Sequence, residues 1–396
     1  MTQFSDTFYL DRAGRYANPL NGNDRLPLVY GDLTDGTNGI WILPCIDTVN
    51  FVYAFAGHAV QSVADGNSIN IYADGVLVNP ANYVFDESND YESEGIISTI
   101  DFSSDQANAI ITARGKGKSS GATLTSNIID IINDFLTVEN DFVAADFETT
   151  AKATASALFT AQGYAAAGVL SGDHPIWDVL VGMMGSFLGD CFLGGAGKLF
   201  LRIDDGSTPQ IISGLIRYGN TRLQDAKARL VNLINQCPAS YAYNYATEEF
   251  RRHTDAAAQA DTVSQGIFGT RKPVSPYQFY WCRDTTDVQT MQSIIVGRLA
   301  YPLYEVVLED LSLENVHVDQ GDFIQASVDS LYDENEDPLL NQIWRVMAVS
   351  PEPSRRLVTF RLLQTDIFVG AGYIADGTHL ADGSVKAGGS RDMTLY

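Results

Sequence analysis

The alternation from Leu357 to Leu363 constrains the fold more than any other stretch. Leu357, Thr359 and Arg361 fall on one side of an extended chain, and Val358, Phe360 and Leu362 on the other. A period of two reads as a strand with one buried and one wet face, because a helix would spread the same residues around its circumference. This strand closes a longer run, Val316 to Phe368. Val318 and Phe323 flank Asp319-Gln320-Gly321-Asp322, a turn rich in residues that tolerate positive φ. Ile343 to Val346, with Val349, predicts another strand that ends at Pro351, since the prolines of Pro-Glu-Pro-Ser have no amide to donate to a ladder. The whole run reads as the antiparallel meander of a small barrel or sandwich, with no catalytic pattern in it.

The same reasoning gives a β-rich N-terminal region. Leu28 to Tyr30, Gly39 to Leu43, Phe51 to Phe55, Ile97 to Phe102 and Ile110 to Ala113 are short apolar runs, several bounded by Gly, Pro or Asp. Ile69 to Tyr72 and Val76 to Val78 flank Ala73-Asp74-Gly75, and Asp-Gly between such runs marks a hairpin. Gly115-Lys116-Gly117-Lys118-Ser119-Ser120-Gly121 reads as a flexible boundary; as a phosphate loop it lacks the required spacing. The period then changes. Ser126 is placed to cap a helix carrying Ile128, Ile129, Ile131, Ile132, Phe135 and Leu136. A second helix fits Glu148 to Gln162, and a third begins near Pro175. Gly194-Gly195-Ala196-Gly197-Lys198 departs from a nucleotide loop, with Phe192 five residues before Gly197 and Leu199 after the lysine. A hairpin from Cys191-Phe192-Leu193 into Lys198 to Leu201 is the better reading.

Further along, Gln210 to Ile212 predicts a strand and Arg222 to Gln236 an amphipathic helix closed by Cys237-Pro238. Asp255 to Gln265 reads as a polar, Ala-rich connection. Phe279 to Trp281 and Tyr304 to Leu308 predict strands, with a helix between them from Asp287 to Leu299. Tyr241, Tyr243 and Tyr245 alternate on one strand face, either as a contact surface for sugar or protein or as internal packing. Gly370 to Tyr396 is Gly-rich and repeats Ala-Asp-Gly, which suits an extended arm that orders against a neighbour.

At 396 residues the chain exceeds one ordinary core, which predicts two to four domains. A net charge of −24 disfavours wrapping around nucleic acid, which needs clustered cations, but leaves room for DNA sliding past an acidic wall. Plain solubility through self-repulsion explains most of these carboxylates as well. No apolar run reaches the roughly 18–20 residues that span a bilayer, and the first residues lack the pattern of a secretory signal. Cys45, Cys191, Cys237 and Cys282 lie far apart, outside zinc-site spacings, and read as reduced packing residues.

The order of these elements resembles the central hub proteins of phage tails, both the trimeric baseplate hub of contractile tails and the tail-tip hub of long non-contractile ones. The residues that carry it are Met183 to Leu188, Cys191-Phe192-Leu193 before Gly197-Lys198-Leu199, and Phe268 to Lys272. Ser293 to Leu299 ahead of Tyr301-Pro302, Gln320-Gly321-Asp322, and Ile343 to Val346 with Leu357 to Leu362 continue it. Leu28 to Asp32 and Ile71 to Val76 resemble tail proteins of the same kind. The likeness covers nearly the whole chain and lies in the order of motifs that are individually mostly turn chemistry.

The resemblance implies a multidomain α+β chain with two tail-tube-like antiparallel β-barrel or sandwich domains and smaller α+β clamp domains between them. The expected division is 1–118 (first tube-like domain), 119–205 (helix and hairpin), 206–275 (helix-strand connector), 276–369 (second tube-like domain) and 370–396 (arm). Three chains would offer six tube-like domains, adapting a six-fold tail tube to a three-fold tip. The expected partners are two further copies in a homotrimer, the neighbouring tube ring, tip or fibre proteins and the tape-measure protein, with DNA passing through the bore unbound. The expected location is the tail tip or baseplate of a virion assembled in the bacterial host cytoplasm. Asp329, Asp333, Glu334, Glu336 and Asp337 form the candidate bore or seam loop; a solvated hairpin tip is the plainer reading, and their spacing departs from an EF-hand. Tyr373, Asp376, Asp382 and Tyr396 are the candidate docking residues of the arm. No cofactor, metal or catalytic residue is assigned, since HExxH and GxSxG are missing and pairs such as Glu248-Glu249 or Asp86-Glu87 arise readily among 49 acidic residues. The alternatives are a receptor- or carbohydrate-binding adhesin and a cell-wall hydrolase.

Overall fold

The computed structural model describes residues 17–18, 21–91, 95–106, 109–171, 174–194, 197–204, 215–216, 221–229, 233–255, 257–310, 318, 322–332, 338–352, 354–355 and 357–364. It is a multidomain α+β protein in which antiparallel strands dominate.

Two open sheets form the N-terminal module. One runs in the order Tyr83–Asp90, Ile96–Phe102, Val52–Ala56, Cys45–Asp47. The other runs Asp32–Leu33, Ile111–Lys116, Asn70–Ala73, Val76–Leu77, and Trp41–Ile42 also pairs with Ile111–Lys116. Phe55, Ile100 and Phe102 of the first sheet meet Trp41, Ile71 and Ile111 of the second in a shared core. The Trp41 ring meets Phe55 edge-on at 5.0 Å, and its indole N–H donates to the Phe55 carbonyl at 3.1 Å. The expected hairpin is present: Asp74 and Gly75 have φ of 47° and 77°, the left-handed pair that suits the twist of a two-residue turn. The eight-residue strand Tyr83–Asp90, which the sequence reading missed, lies at a sheet edge.

The Gly115–Gly121 stretch is a strand end and a tight hairpin, not a flexible boundary. The amide of Gly117 donates to the carbonyl of Gly31 and that of Lys118 to the carbonyl of Val29, both at 2.9 Å. Ser119–Ser120 then pairs with Thr123–Leu124. A Cβ on Gly117 would sit 2.2 Å from the Val29 carbonyl oxygen, so the glycine serves close approach of two strands.

The middle block holds the largest core. Helix α1 (Ile128–Thr137) is capped by Asn127, whose side chain accepts from the Ile129 amide at 3.0 Å, one residue beyond the expected Ser126. Helix α2 (Thr149–Ala161) is capped by Glu148, and α3 (Ile176–Gly185) starts after Pro175, as expected. The hairpin Gly189–Leu193 with Leu199–Ile203 also appears as read. Helix α4 (Thr262–Phe268) was missed, because that stretch looked like a polar connection. Helix α5 (Thr285–Leu299) matches its expected span within two residues at the start. These elements share one core with Ile234, Tyr241, Phe279 and Trp281, and Leu28 and Tyr30 reach into it from the N-terminal module.

A six-stranded sheet forms the C-terminal module, in the order Leu215–Ile216, Phe323–Tyr332, Pro338–Glu352, Leu357–Gln364, Leu303–Asp310, Thr221–Arg229. The alternation over Leu357–Gln364 holds, with Val358, Phe360 and Leu362 buried and Arg361 exposed. The strand before it passes through Pro351 to Glu352, because Pro351 pairs opposite Val358 at the end of the ladder. Among the described residues neither β module closes into a barrel.

One expected helix is a strand. Thr221–Arg229 pairs antiparallel with Leu303–Asp310 along its length, where an amphipathic helix from Arg222 to Gln236 was predicted. The register shifts between Leu223 and Asp225, a bulge that lets Leu223 and Ala226 pack on the same small core. A bulge inserts one residue into a period of two, so the apolar spacing becomes three and mimics a helix.

Candidate functional site

Of the predicted acidic loop, Asp329 lies in the strand Phe323–Tyr332, and Asp333, Glu334, Glu336 and Asp337 fall outside the described residues. The arm residues Tyr373, Asp376, Asp382 and Tyr396 also lie outside them, as does the strand expected at Gln210 to Ile212. The functional reading therefore turns on how the described modules carry charge and hold each other.

Charge is uneven along the chain. Residues 26–113 contain twelve Asp and Glu and no Lys or Arg, and the strand Ile111–Lys116 that completes the N-terminal module adds Arg114 and Lys116. Residues 303–364 carry twelve carboxylates against four Arg. The six strands of the C-terminal sheet themselves, with Arg222, Lys227 and Arg229 on Thr221–Arg229, hold six carboxylates against five cations. The middle block between the two modules, residues 117–220 and 230–302, carries eleven cations against seventeen carboxylates. The N-terminal module thus holds the largest single share of the net −24.

Ion pairs tie the middle block to both modules. Arg283, nearly buried, donates from Nε to Asp35 Oδ1 at 2.6 Å and from Nη1 to the Tyr243 carbonyl at 2.9 Å. Arg251 reaches the same carboxylate at 3.6 Å and donates to the Asp35 carbonyl at 3.1 Å. Gly36 has φ of 86°, and a Cβ there would collide with the Arg251 guanidinium at 1.6 Å. On the other side, Arg202 pairs with Asp322 at 2.5 Å while lying over the Phe192 ring, and Arg345 pairs with Asp190. Because Asp322 belongs to the predicted Gly-Asp turn, that turn's last residue is an anchor to the Gly189–Ile203 hairpin.

A buried polar cluster lies where the N-terminal module meets α1. His58 accepts the Val29 amide on Nε2 at 3.0 Å, and its Nδ1 lies 2.9 Å from the Ala59 carbonyl. Those two partners require a neutral ring protonated at Nδ1. Burial, with Lys118 nearby, pushes its pKa down to about 4. Tyr30 donates to Asp134 at 2.8 Å, and Lys118 pairs with the same carboxylate at 2.7 Å.

The tyrosine row is packed internally and does not share one face. Ala242 has φ of 56°, which breaks the alternation. Tyr241 enters the large core and bonds Thr285 through its hydroxyl at 2.9 Å. Tyr243 packs against Tyr245, Phe250 and Tyr280. The cysteines are unbonded to one another; Cys237 and Cys282 are buried and Cys45 and Cys191 half-buried. Burial raises the thiol pKa of Cys191 and of Cys237 to about 12, so both stay protonated and weakly nucleophilic at neutral pH. Glu248, in a turn, and Glu249, the first residue of the strand Glu249–Thr254, are both exposed. Among the described residues no three His, Cys, Asp or Glu side chains are placed to hold a metal ion. No helix among them is long and apolar enough to cross a membrane. A cavity of about 250 Å³ lies between the end of α5 and the C-terminal sheet, lined by Leu299, Tyr301, Leu303, Met347 and Leu363 with Glu305 and Arg361.

No family model matches the chain, and no curated protein matches it. Two solved structures are similar to it at low scores. A tail protein from Neisseria meningitidis MC58 aligns over 76% of this chain and 97% of its own, at 10% identity and a TM-score of 0.33. The 43 kDa tail protein of prophage MuSo2 from Shewanella oneidensis aligns over 87% of this chain and 98% of its own, at 11% identity and a TM-score of 0.32. Scores this low establish no common fold.

Proposed function

We propose that the chain is a structural component of a bacteriophage tail, and within it the central hub of the tail tip or baseplate. Three copies form a ring in which the two β modules of each chain mate with the six-fold tube and the middle block braces them. The charge of the N-terminal module carries this reading: its twelve carboxylates are opposed by two cations of its own, Arg114 and Lys116. A bore walled by carboxylates lets DNA and a tape-measure protein pass, because like charge keeps the phosphate backbone from sticking. The ion pairs at Asp35 and Asp322 support it by fixing both modules to one block. The internal packing of the tyrosine row weighs against the adhesin reading, which otherwise rests on exposed loops.

Imaging of tail tips labelled with an antibody against this chain tests the proposal. A three-fold density on the tail axis, at the end of the tube, is the expected result. Label on a peripheral fibre, or on the capsid, would overturn it.

A further inference from the structure

We propose that copies of this chain join head to tail, with the edge strand Tyr83–Asp90 of one docking along the edge strand Glu249–Thr254 of the next. This rests on the ring reading above and names the joint that would build it. Among the described residues both strands end their sheets, the first a four-stranded sheet and the second a three-stranded one in the order Glu249–Thr254, Ala239–Asn244, Tyr277–Phe279. A sheet edge presents unpaired amides and carbonyls, and a second strand satisfies them.

Charge decides which edge meets which. Asp86 and Asp90 are exposed on the first strand, within a stretch of 88 residues that has no cation of its own. Val84 beside them is 67% exposed and adds apolar area. Arg251, Arg252 and His253 are exposed on the second strand together with one carboxylate, Glu249, and His253 is bonded through Nδ1 to the Ser240 hydroxyl at 2.8 Å. Arg252 donates to the neutral carbonyl of Arg283 at 3.2 Å, and among the described residues no carboxylate pairs with it. The molecule already uses this pairing internally, since the N-terminal module's Asp35 is held by Arg283 and Arg251 of the middle block. The joint repeats that chemistry between copies. Because it uses two different patches, it is heterologous and generates a closed ring when the rotation between copies fits.

The test uses the full chain in sedimentation velocity across a dilution series, with circular dichroism to verify folding. D86K/D90K places lysine opposite arginine, and R252E/H253E places glutamate opposite aspartate. Each variant is expected to weaken assembly on the order of a hundredfold, since juxtaposed like charges cost several kcal/mol. A chain carrying all four substitutions restores opposite charge and is expected to assemble as the native protein does. Folded single-edge variants that assemble like the native chain would overturn this joint and leave the ring standing. A folded four-substitution chain that stays dissociated would also overturn the joint. A native chain that is monomeric throughout would overturn the joint and the ring together.

Discussion

The N-terminal module keeps twelve carboxylates against two cations, Arg114 and Lys116, whereas the middle block sets eleven cations against seventeen carboxylates. Strands explain how the first is tolerated. One face of each sheet is wet, so like charges along it are spaced by the pleat and screened by water and salt. Both regions bury polar groups that need partners. Gln292, for example, is fully buried on α5 and donates to the Cys237 carbonyl. A module that cannot neutralise itself depends on a neighbour, and here the neighbour's cations are in the next block of the same chain.

The largest expected effect comes from breaking one module's core while sparing the other. Trp41→Ala removes a fully buried ring and its bond to the Phe55 carbonyl, and is expected to cost about 3–5 kcal/mol. Urea unfolding followed by module-specific hydrogen exchange should show protection lost in residues 26–113 before α1, α2 and α3. Loss at the same denaturant concentration everywhere would mean the two regions unfold as one unit.

Acid separates the regions by the sign of the response. Burial holds the His58 pKa at about 4, below its ordinary 6.5, so the fold prefers the neutral ring. Its contribution is present above pH 6.5 and is lost as pH falls through about 4, on the order of 3 kcal/mol in all. Asp287, at the start of α5, is raised to about 6 by burial. The fold therefore prefers its protonated form, and that contribution is complete below pH 3.8 and lost as pH rises through 6. Thermal unfolding of His58→Gln is expected to show a shallower decline between pH 6.5 and 4 than the native chain. An unchanged slope would remove His58 from the account.

The link between the regions is weaker than either core. Arg283→Met is expected to cost about 2–3 kcal/mol, because Asp35 loses a charged donor and the Tyr243 carbonyl loses its partner. Arg251 still faces Asp35, which limits the loss. A double-mutant cycle with Asp35→Asn measures the coupling, and additive effects would contradict the link. The smallest effect runs the other way. Asp287→Asn is expected to stabilise the chain at pH 7 by about 1 kcal/mol, since a neutral side chain still accepts from the Ala165 amide. Destabilisation at pH 7 would show that the carboxylate's place in the first turn of α5 outweighs its burial.

Much of the fold was legible where one physical rule acts alone. Asp74-Gly75 specifies its turn by positive φ, and Ile128 to Leu136 specifies a buried helix by its spacing. The failures fall where a second rule intervenes. The bulge at Leu223 to Asp225 gave a strand the apolar spacing of a helix, and the positive φ of Ala242 split three tyrosines that alternate in sequence. The Gly-Lys-Gly-Lys stretch looked loose because its anchors, Val29 and Gly31, lie more than eighty residues earlier. For the site, the acidic balance was legible, but its holders were not. Asp35 meets Arg283 across 248 positions, a distance no local pattern encodes.

Native mass of the purified full chain at micromolar concentration tests the central claim most directly. Three chains per particle is the predicted result, since only a threefold assembly lets paired β modules meet a sixfold tube. A particle of one or two chains at every concentration would contradict it.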